Sequence, residues 1–236
     1  MSAHAVLVIV LLALQGAPAG PAAPPATAEI LKRSLDAYQK ARTYQARWTY
    51  TLALGDAKQT AAVEVKAKGP TRLVVAVSAA TGKPIPGTET IPEMRVVLDG
   101  KSAWFWSGAE NVYFRVDLPK NAATSPLMFF PQMPTTGETR RLPDAKSGDR
   151  TLIVLEGTRT DGGASRMEID SETYRVRRIV VETPIGTAKL VSTLTVDRET
   201  IDADIPDSAF VYKPPARARE VPAPPTTAGL FGTPTR

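Results

Sequence analysis

Two pairs of carboxylates stand two residues apart: Glu168 with Asp170 in "EID", and Asp202 with Asp204 in "DAD". On a strand the members of each pair would share one face, and acid catalysis would need one of them to hold a proton near neutrality through a raised pKa. Both pairs read equally as solvated acids at turns or strand ends. Arg175, Arg177 and Arg178 form the one dense basic cluster in a strand-like segment, either a solvated strand face or an anion site. The chain has one histidine, His4, and no cysteine. Beyond residue 4 this excludes imidazole acid/base work, Ser-His-Asp and Cys-His arrangements, His or Cys metal sites and disulfides. S-x-x-K, G-x-S-x-G, G-x-x-x-x-G-K and G-x-G-x-x-G motifs do not occur. The expectation is a protein without catalytic activity, metal or cofactor.

A chain of 236 residues, 43% hydrophobic and 22% charged, can bury one substantial core, so one domain is expected. Ala5 to Leu14 is an uninterrupted apolar run, followed by helix-breaking "QGAPAG" with small residues at Ala17 and Ala19. Residues 1–19 read as a secretory signal peptide, the run being short for a membrane span. The net charge of +5 and pI near 9.5 come from Lys and Arg interspersed with acids, as in "VEVKAKGPTR" and "EIDSETYRVRR", so no nucleic-acid partner is expected.

Residues 20–27 form a Pro/Ala-rich spacer. The spacing of Leu31, Leu35 and Tyr38, joined by Ile30 and Ala41, predicts an amphipathic helix over Glu29–Tyr44, capped by Thr27. Strand patterns then dominate. "RWTYTLAL" sets Trp48, Tyr50, Leu52 and Leu54 on one face at period two, and "TAAVEVKAKG" does so with Ala61, Val63, Val65 and Ala67. In "TRLVVAV" Leu73 and Val75 continue that face, but Val74 and Ala76 make the other face apolar too. "MRVVLDG", "SAWFW" and "NVYFRVDL" follow, with Asp99-Gly100 as a hairpin signal, then "RTLIVLEGTR", "ASRMEID", "YRVRRIVVET" and "TAKLVSTLTVD". Successive hairpins predict an antiparallel meander that curls, its apolar face covered by the helix. Between the two strand sets, Leu127, Met128, Phe129, Phe130 and Met133 lie among prolines and read as a short apolar helical turn, either core filler or a lid over an apolar cavity. Residues 222–236 read as a flexible Pro-rich tail.

The helix leading into "TYQARWTYTL", then "KAKGPTRLVV", "VVLDGKSAWFWSGAENVYFRVDL", "SPLMFF" and the closing "IPDSAFVYKPPARAREV" resemble, in that order, the LolA-like family of periplasmic outer-membrane lipoprotein carriers. The resemblance covers about residues 28–221. It implies an α+β, mainly β fold: a half-open antiparallel β-barrel plugged by the amphipathic helix and a short apolar helical lid. It also implies a non-catalytic role, in which the concave face shelters acyl chains of a lipoprotein or lipid. The lipid-binding set implied is Leu31, Leu35, Tyr38, Trp48, Tyr50, Leu52, Val63, Val65, Leu73, Val75, Trp104, Trp106, Leu127, Met128, Phe129 and Phe130. The implied partners are an acylated lipoprotein or lipid and, beside it, an inner- or outer-membrane protein, with the chain itself a monomer. Family carriers usually have an arginine directly before the proline of the second-to-third strand connection, associated with holding the lid and handling cargo. Here Gly69 precedes Pro70 and Arg72 follows two positions later. Envelope-stress sensors share this fold, so a packed barrel acting as an interaction or regulatory module is the alternative.

Mass spectrometry of the protein from the periplasm is expected to find the mature amino terminus between Gly20 and Ala26. An intact Met1 terminus in the cytosol would overturn the export reading.

Overall fold

Period-two alternation runs through every long strand, so each hairpin sets one side chain in two toward a common face. The computed structural model describes residues 26–86, 90–118, 139–159 and 162–223. Helix α1 (Thr27–Gln39) precedes β1 (Thr43–Leu54), β2 (Ala57–Lys68), β3 (Arg72–Val77), β4 (Thr81–Gly82), β5 (Met94–Asp99), β6 (Ser102–Ser107) and β7 (Val112–Asp117). Then come β8 (Thr139–Ser147), β9 (Arg150–Thr158), β10 (Ala164–Asp170), β11 (Val176–Ile185), β12 (Ala188–Ile201) and β13 (Arg219–Glu220). The sheet runs β13-β7-β6-β5-β3-β2-β1-β12-β11-β10-β9-β8, with β4 attached to β2. Two antiparallel meanders are thus joined by the β1–β12 ladder, which extends from Tyr44↔Ile201 to Leu54↔Leu190. The sheet ends at β13 and β8 without closing, and α1 lies against its inner face: a half-open barrel plugged by a helix.

The inner face carries the main core. Rows such as Ala46, Val65, Val75 and Val96 run across β1, β2, β3 and β5, and Val181, Ile179, Met167 and Leu155 extend the same cluster to β9. Ile30 and Tyr38 of α1 are buried in it. The helix is shorter than the predicted Glu29–Tyr44, because Thr43 and Tyr44 enter β1, where Tyr44 pairs with both Ala67 and Ile201. A sheet ladder on two sides outweighs a weak helical preference at the end of a helix. Thr27 is the first helical residue and not the cap; Ala26 holds that position, with no side-chain cap bond. The helix is also rotated from the expected stripe. Ile30, Ser34 and Tyr38 are buried, Leu31 is half-buried, and Leu35 is 41% exposed. Two contacts fix that rotation: Tyr38 accepts the Val176 N–H at 2.9 Å, and the Arg33 guanidinium donates to the Tyr174 hydroxyl at 2.9 Å.

After Ile201 the chain leaves the sheet through Asp202, in the left-handed region at φ 57°, and crosses the outer face. Ile205 and Phe210 pack on Val74 and Val97 in a second core cluster, and Tyr212 stacks on Trp104 at 5.1 Å. Asp207 pairs with Lys68 at 2.7 Å and with Arg72 at 2.6 Å. The strap ends as β13 beside β7, the one parallel pairing among the described residues. The Pro214-Pro215 pair falls between these two anchorages, where no ladder asks for a backbone N–H. This strap gives β3 its two apolar faces: Leu73 and Val75 point inward, while Val74 is covered from outside.

Phe210, 2% exposed, fills the second core. Phe210→Ala is expected to cost about 3–5 kcal/mol and to lower Tm by about ten degrees in thermal unfolding. A shift within two degrees would mean that the strap lies loosely on the sheet.

Candidate functional site

The inner face has two halves. Near α1 it is sealed: Tyr44, Ala46, Trp48, Val65, Leu73 and Leu98 are each at most 5% exposed. Beyond Trp48 the same face opens. Tyr50, Leu52 and Leu54 on β1, with Val77, Met94, Phe105 and Phe114, are only half-buried. Phe105 and Phe114 stack across β6 and β7 at 4.8 Å. Within this apolar surface the Ser192 hydroxyl donates to the Tyr50 hydroxyl at 2.8 Å. The half-open stretch is the candidate site, a concave apolar wall able to take aliphatic chains.

Of the predicted set, Trp48, Tyr50, Val63, Val65, Leu73 and Val75 join Tyr38 in the inner core, with Leu31 packed beside them. Leu52 takes the same face by alternation, two residues beyond Tyr50. Leu35 lies partly in solvent, outside the inner core. Trp104 and Trp106 lie on the outer face, a correction to the expectation. The hairpin register Val96↔Phe105 sends Phe105 inward with Ala103 and turns both tryptophans out. Outside, the Trp104 indole N–H donates to Asp99 at 3.1 Å, Arg115 lies 5.4 Å from its ring, and Trp106 donates to Asn111 at 3.3 Å. An even-membered hairpin turn at Asp99-Gly100 moves the inward set from even to odd numbers, so pairing back from Val96 could have revealed this. Leu127, Met128, Phe129 and Phe130 lie outside the described residues. Sequence reasoning missed Phe105, Phe114 and Met94; it singled out Arg175, Arg177 and Asp170 but not Glu199, which meets both arginines in a charged cluster at the sealed end.

That cluster sits in a fork. β11 pairs with β12 only from Arg178↔Thr195 onward, while β12 continues along β1 to Ile201 and β11 along β10 to Val176↔Ile169. Bulges fall on both sides of the split, leaving Asp197 and Arg177 as the extra residues. A bulge re-aims the side chains around it. Glu199, whose side chain is 2% exposed, meets Arg177 at 3.0 Å and Arg175 at 4.0 Å. Arg177 also reaches Asp170 at 3.6 Å. From the helix side Tyr38 closes the fork, its hydroxyl taking the Val176 N–H. Outside, the fork opens into a polar cavity of about 920 Å³.

Burial pushes the Glu199 carboxyl above its ordinary value, against the pull of Arg177 and Arg175. Burial likewise raises Tyr38 and Tyr44, which stay protonated. Burial alone would raise Asp170 too. The Thr173 N–H and hydroxyl, the Glu172 N–H and the Arg177 charge outweigh it and hold Asp170 below the usual carboxylate range. Three of the four carboxylates in the two pairs of the sequence are thereby engaged in structure. Asp170 organises the turn after β10 and Glu168 pairs with Arg166, while Asp202 accepts the Arg42 N–H in the turn after β12.

No family model matches the sequence, and neither does any curated protein. Among solved structures, the chain is similar to an uncharacterized conserved protein from Thermus thermophilus at 15% identity and TM-score 0.54, covering 84% of this chain and 100% of that one. It is also similar to a LolA superfamily protein from Nitrosomonas europaea (14% identity, TM-score 0.39, covering 80% and 99%). A third similarity is to the Mycobacterium tuberculosis lipoprotein LppX (12% identity, TM-score 0.43, covering 78% and 99%). At such identities the likeness is one of fold. The architecture is the one that the LolA-like resemblance implied: a mainly β, half-open barrel with its helix inside.

The lowered pKa of Asp170 has a sign that can be measured. Its folded value lies below the unfolded value near ~3.9, so its stabilisation is complete above that value and is lost as pH falls through the folded pKa. Glu199, raised on folding, acts in the opposite sense and cannot produce an acid limb. Asp170→Asn should therefore lower Tm at neutral pH, and the gap from the wild type should narrow progressively as pH falls below about 4. A gap that is constant from neutral pH to acid would remove the ionised Asp170 from the stability of the fork.

Proposed function

We propose that this chain is a non-catalytic periplasmic binding protein that shelters acyl chains of lipoproteins or lipids against its inner apolar face, as a carrier or a lipid sensor. The observation that carries this reading is the division of one continuous apolar face into a half sealed under α1 and a half left open beyond Trp48. A well-packed core has no need of the second half. Removing a sixteen-carbon chain from water is worth up to about 12 kcal/mol at ~0.8 kcal/mol per methylene. Exposed ion pairs contribute only about 0–1 kcal/mol each. Apolar contact therefore dominates the affinity. In the β2–β3 connection Gly69 turns the chain at φ 59°, and Arg72 is held by Asp207. Cargo retention in this chain accordingly relies on the apolar wall, without an arginine from that connection. The partners proposed are acylated lipoproteins or lipids met in the periplasm by a monomer, with no metal or cofactor.

Binding of a fluorescent fatty-acid probe, followed beside thermal unfolding, tests the reading. Leu52→Asp places a carboxylate on the open half and is expected to weaken binding at least about tenfold with Tm little changed. Val65→Asp, at a position 0% exposed, should cost several kcal/mol and melt the whole fold. Unaltered probe binding by a folded Leu52→Asp protein would sink the proposal.

A further inference from the structure

We propose that the outer face of the β2–β1–β12 seam carries a site for a phosphate-type oxyanion, held by Arg47, Arg198 and Lys66; it lies across the sheet from the acyl wall and stands independently of that reading. Ala46 and Val65 point into the inner core, so alternation turns Gln45, Arg47, Glu64 and Lys66 outward. The ladders set six side chains in two rows of three: Arg198, Arg47 and Glu64 in one, Thr200, Gln45 and Lys66 in the next. With ~4.8 Å between strands and ~6.7 Å between residues two apart, this grid measures about 10 by 7 Å. Side chains as long as arginine and lysine can converge over such an area. The six border a cavity of about 460 Å³.

The charges of this grid are unmatched. Arg47 and Arg198 stand directly opposite each other, and like charges so placed repel across a ladder. Neither of them, nor Lys66, forms an ion pair or a side-chain hydrogen bond among the described residues. Glu64, opposite Arg47 on its other side, forms none either. By contrast, Arg72 meets Asp207, Arg140 meets Glu156 and Arg166 meets Glu168. The two acids that flank Arg198 in the sequence are committed elsewhere. Asp197, the extra residue of the bulge, accepts the Thr49 hydroxyl at 2.8 Å, and Glu199 meets Arg177 at 3.0 Å. Three cations less one carboxylate leave the cavity with two positive charges in excess, beside the neutral donors Gln45 and Thr200. A guanidinium presents paired N–H groups that match two phosphate oxygens, and two guanidinium groups facing each other across one strand spacing suit a tetrahedral anion between them. A phosphate monoester, carrying about two negative charges at neutral pH, balances the excess and turns the Arg47–Arg198 repulsion into shared attraction. Free phosphate esters and phosphate headgroups have this chemistry in common.

The test titrates the full chain with inorganic phosphate by calorimetry, against chloride at equal ionic strength, and follows its co-sedimentation with vesicles of phosphatidylcholine alone or with added phosphatidic acid. The wild type is expected to bind phosphate, phosphatidic acid vesicles or both. Arg47→Ala and Arg198→Ala should each weaken that binding about tenfold, the loss of one charge-assisted contact, and Glu64→Gln should tighten it. Without ligand neither arginine variant should lower Tm, because each removes a cross-strand repulsion. A response to free phosphate supports the inference with a soluble ligand, and a response confined to phosphatidic acid vesicles supports it with the oxyanion on a lipid surface. Binding of neither, an equal response to chloride, or binding unchanged in both arginine variants would overturn the inference and leave the acyl-binding reading untouched. A lower Tm in both arginine variants with binding intact would assign the pair to the fold alone, also against the inference.

Discussion

The ladder between β1 and β12 is the constraint on which the rest depends. It joins residues 136 to 157 positions apart and is the only seam between the two meanders among the described residues. Without it each meander would be an open sheet with an apolar face and two bare edges. With it, the inner faces of both become one surface, and the natural twist of so many strands curls that surface around α1. Every inner row crosses this seam or ends near it, so the concavity itself follows from a long-range pairing.

The seam is also where regular pairing fails. β12 stays with β1 to Ile201 while β11 leaves for β10, and the gap is occupied by side chains in place of a strand. Tyr38 substitutes a phenol oxygen for a missing carbonyl, and Arg177 spans the opening between Glu199 and Asp170. Placing charge here is costly, because two ions leave water to meet, and their attraction offsets that cost only when the geometry is good. A packed apolar side chain could fill the same gap. What the phenol adds is direction: with the Arg33–Tyr174 contact it fixes the rotation of α1, so that Ile30, Ser34 and Tyr38 face inward and Leu35 does not.

Sealing one half of the barrel frees the other. The helix, the strap over Val74 and Val97 and the β1–β12 seam secure the fold, so Tyr50, Leu52, Met94, Phe105 and Phe114 need not be fully packed for stability. An apolar wall that is not needed for stability is free to hold something else. The few polar groups on that wall are correspondingly informative, since each is placed where water and protein partners are scarce.

Much was legible in the residues alone. Alternation assigned Trp48, Tyr50, Val63, Val65, Leu73 and Val75 to one face, since a strand's period is a local property, and the shortage of histidine and cysteine removed whole classes of chemistry. The helix was visible, but its end and its rotation were not, because they depend on Tyr44 entering a ladder and Tyr38 finding a backbone N–H some 138 residues away. Trp104 and Trp106 were misplaced for a related reason. Large aromatic residues suit a core or a stacked outer cluster equally, and only the hairpin register and the returning strap, with Tyr212 laid on Trp104, decide between them. The bulges at Arg177 and Asp197, which turn a run of ordinary charges into the fork, left no mark on the sequence, because they exist only where three strands compete for one partner. Local periodicity and composition, then, lay in the chain itself, whereas the placing of faces, charges and the open half required contacts that only the folded chain makes.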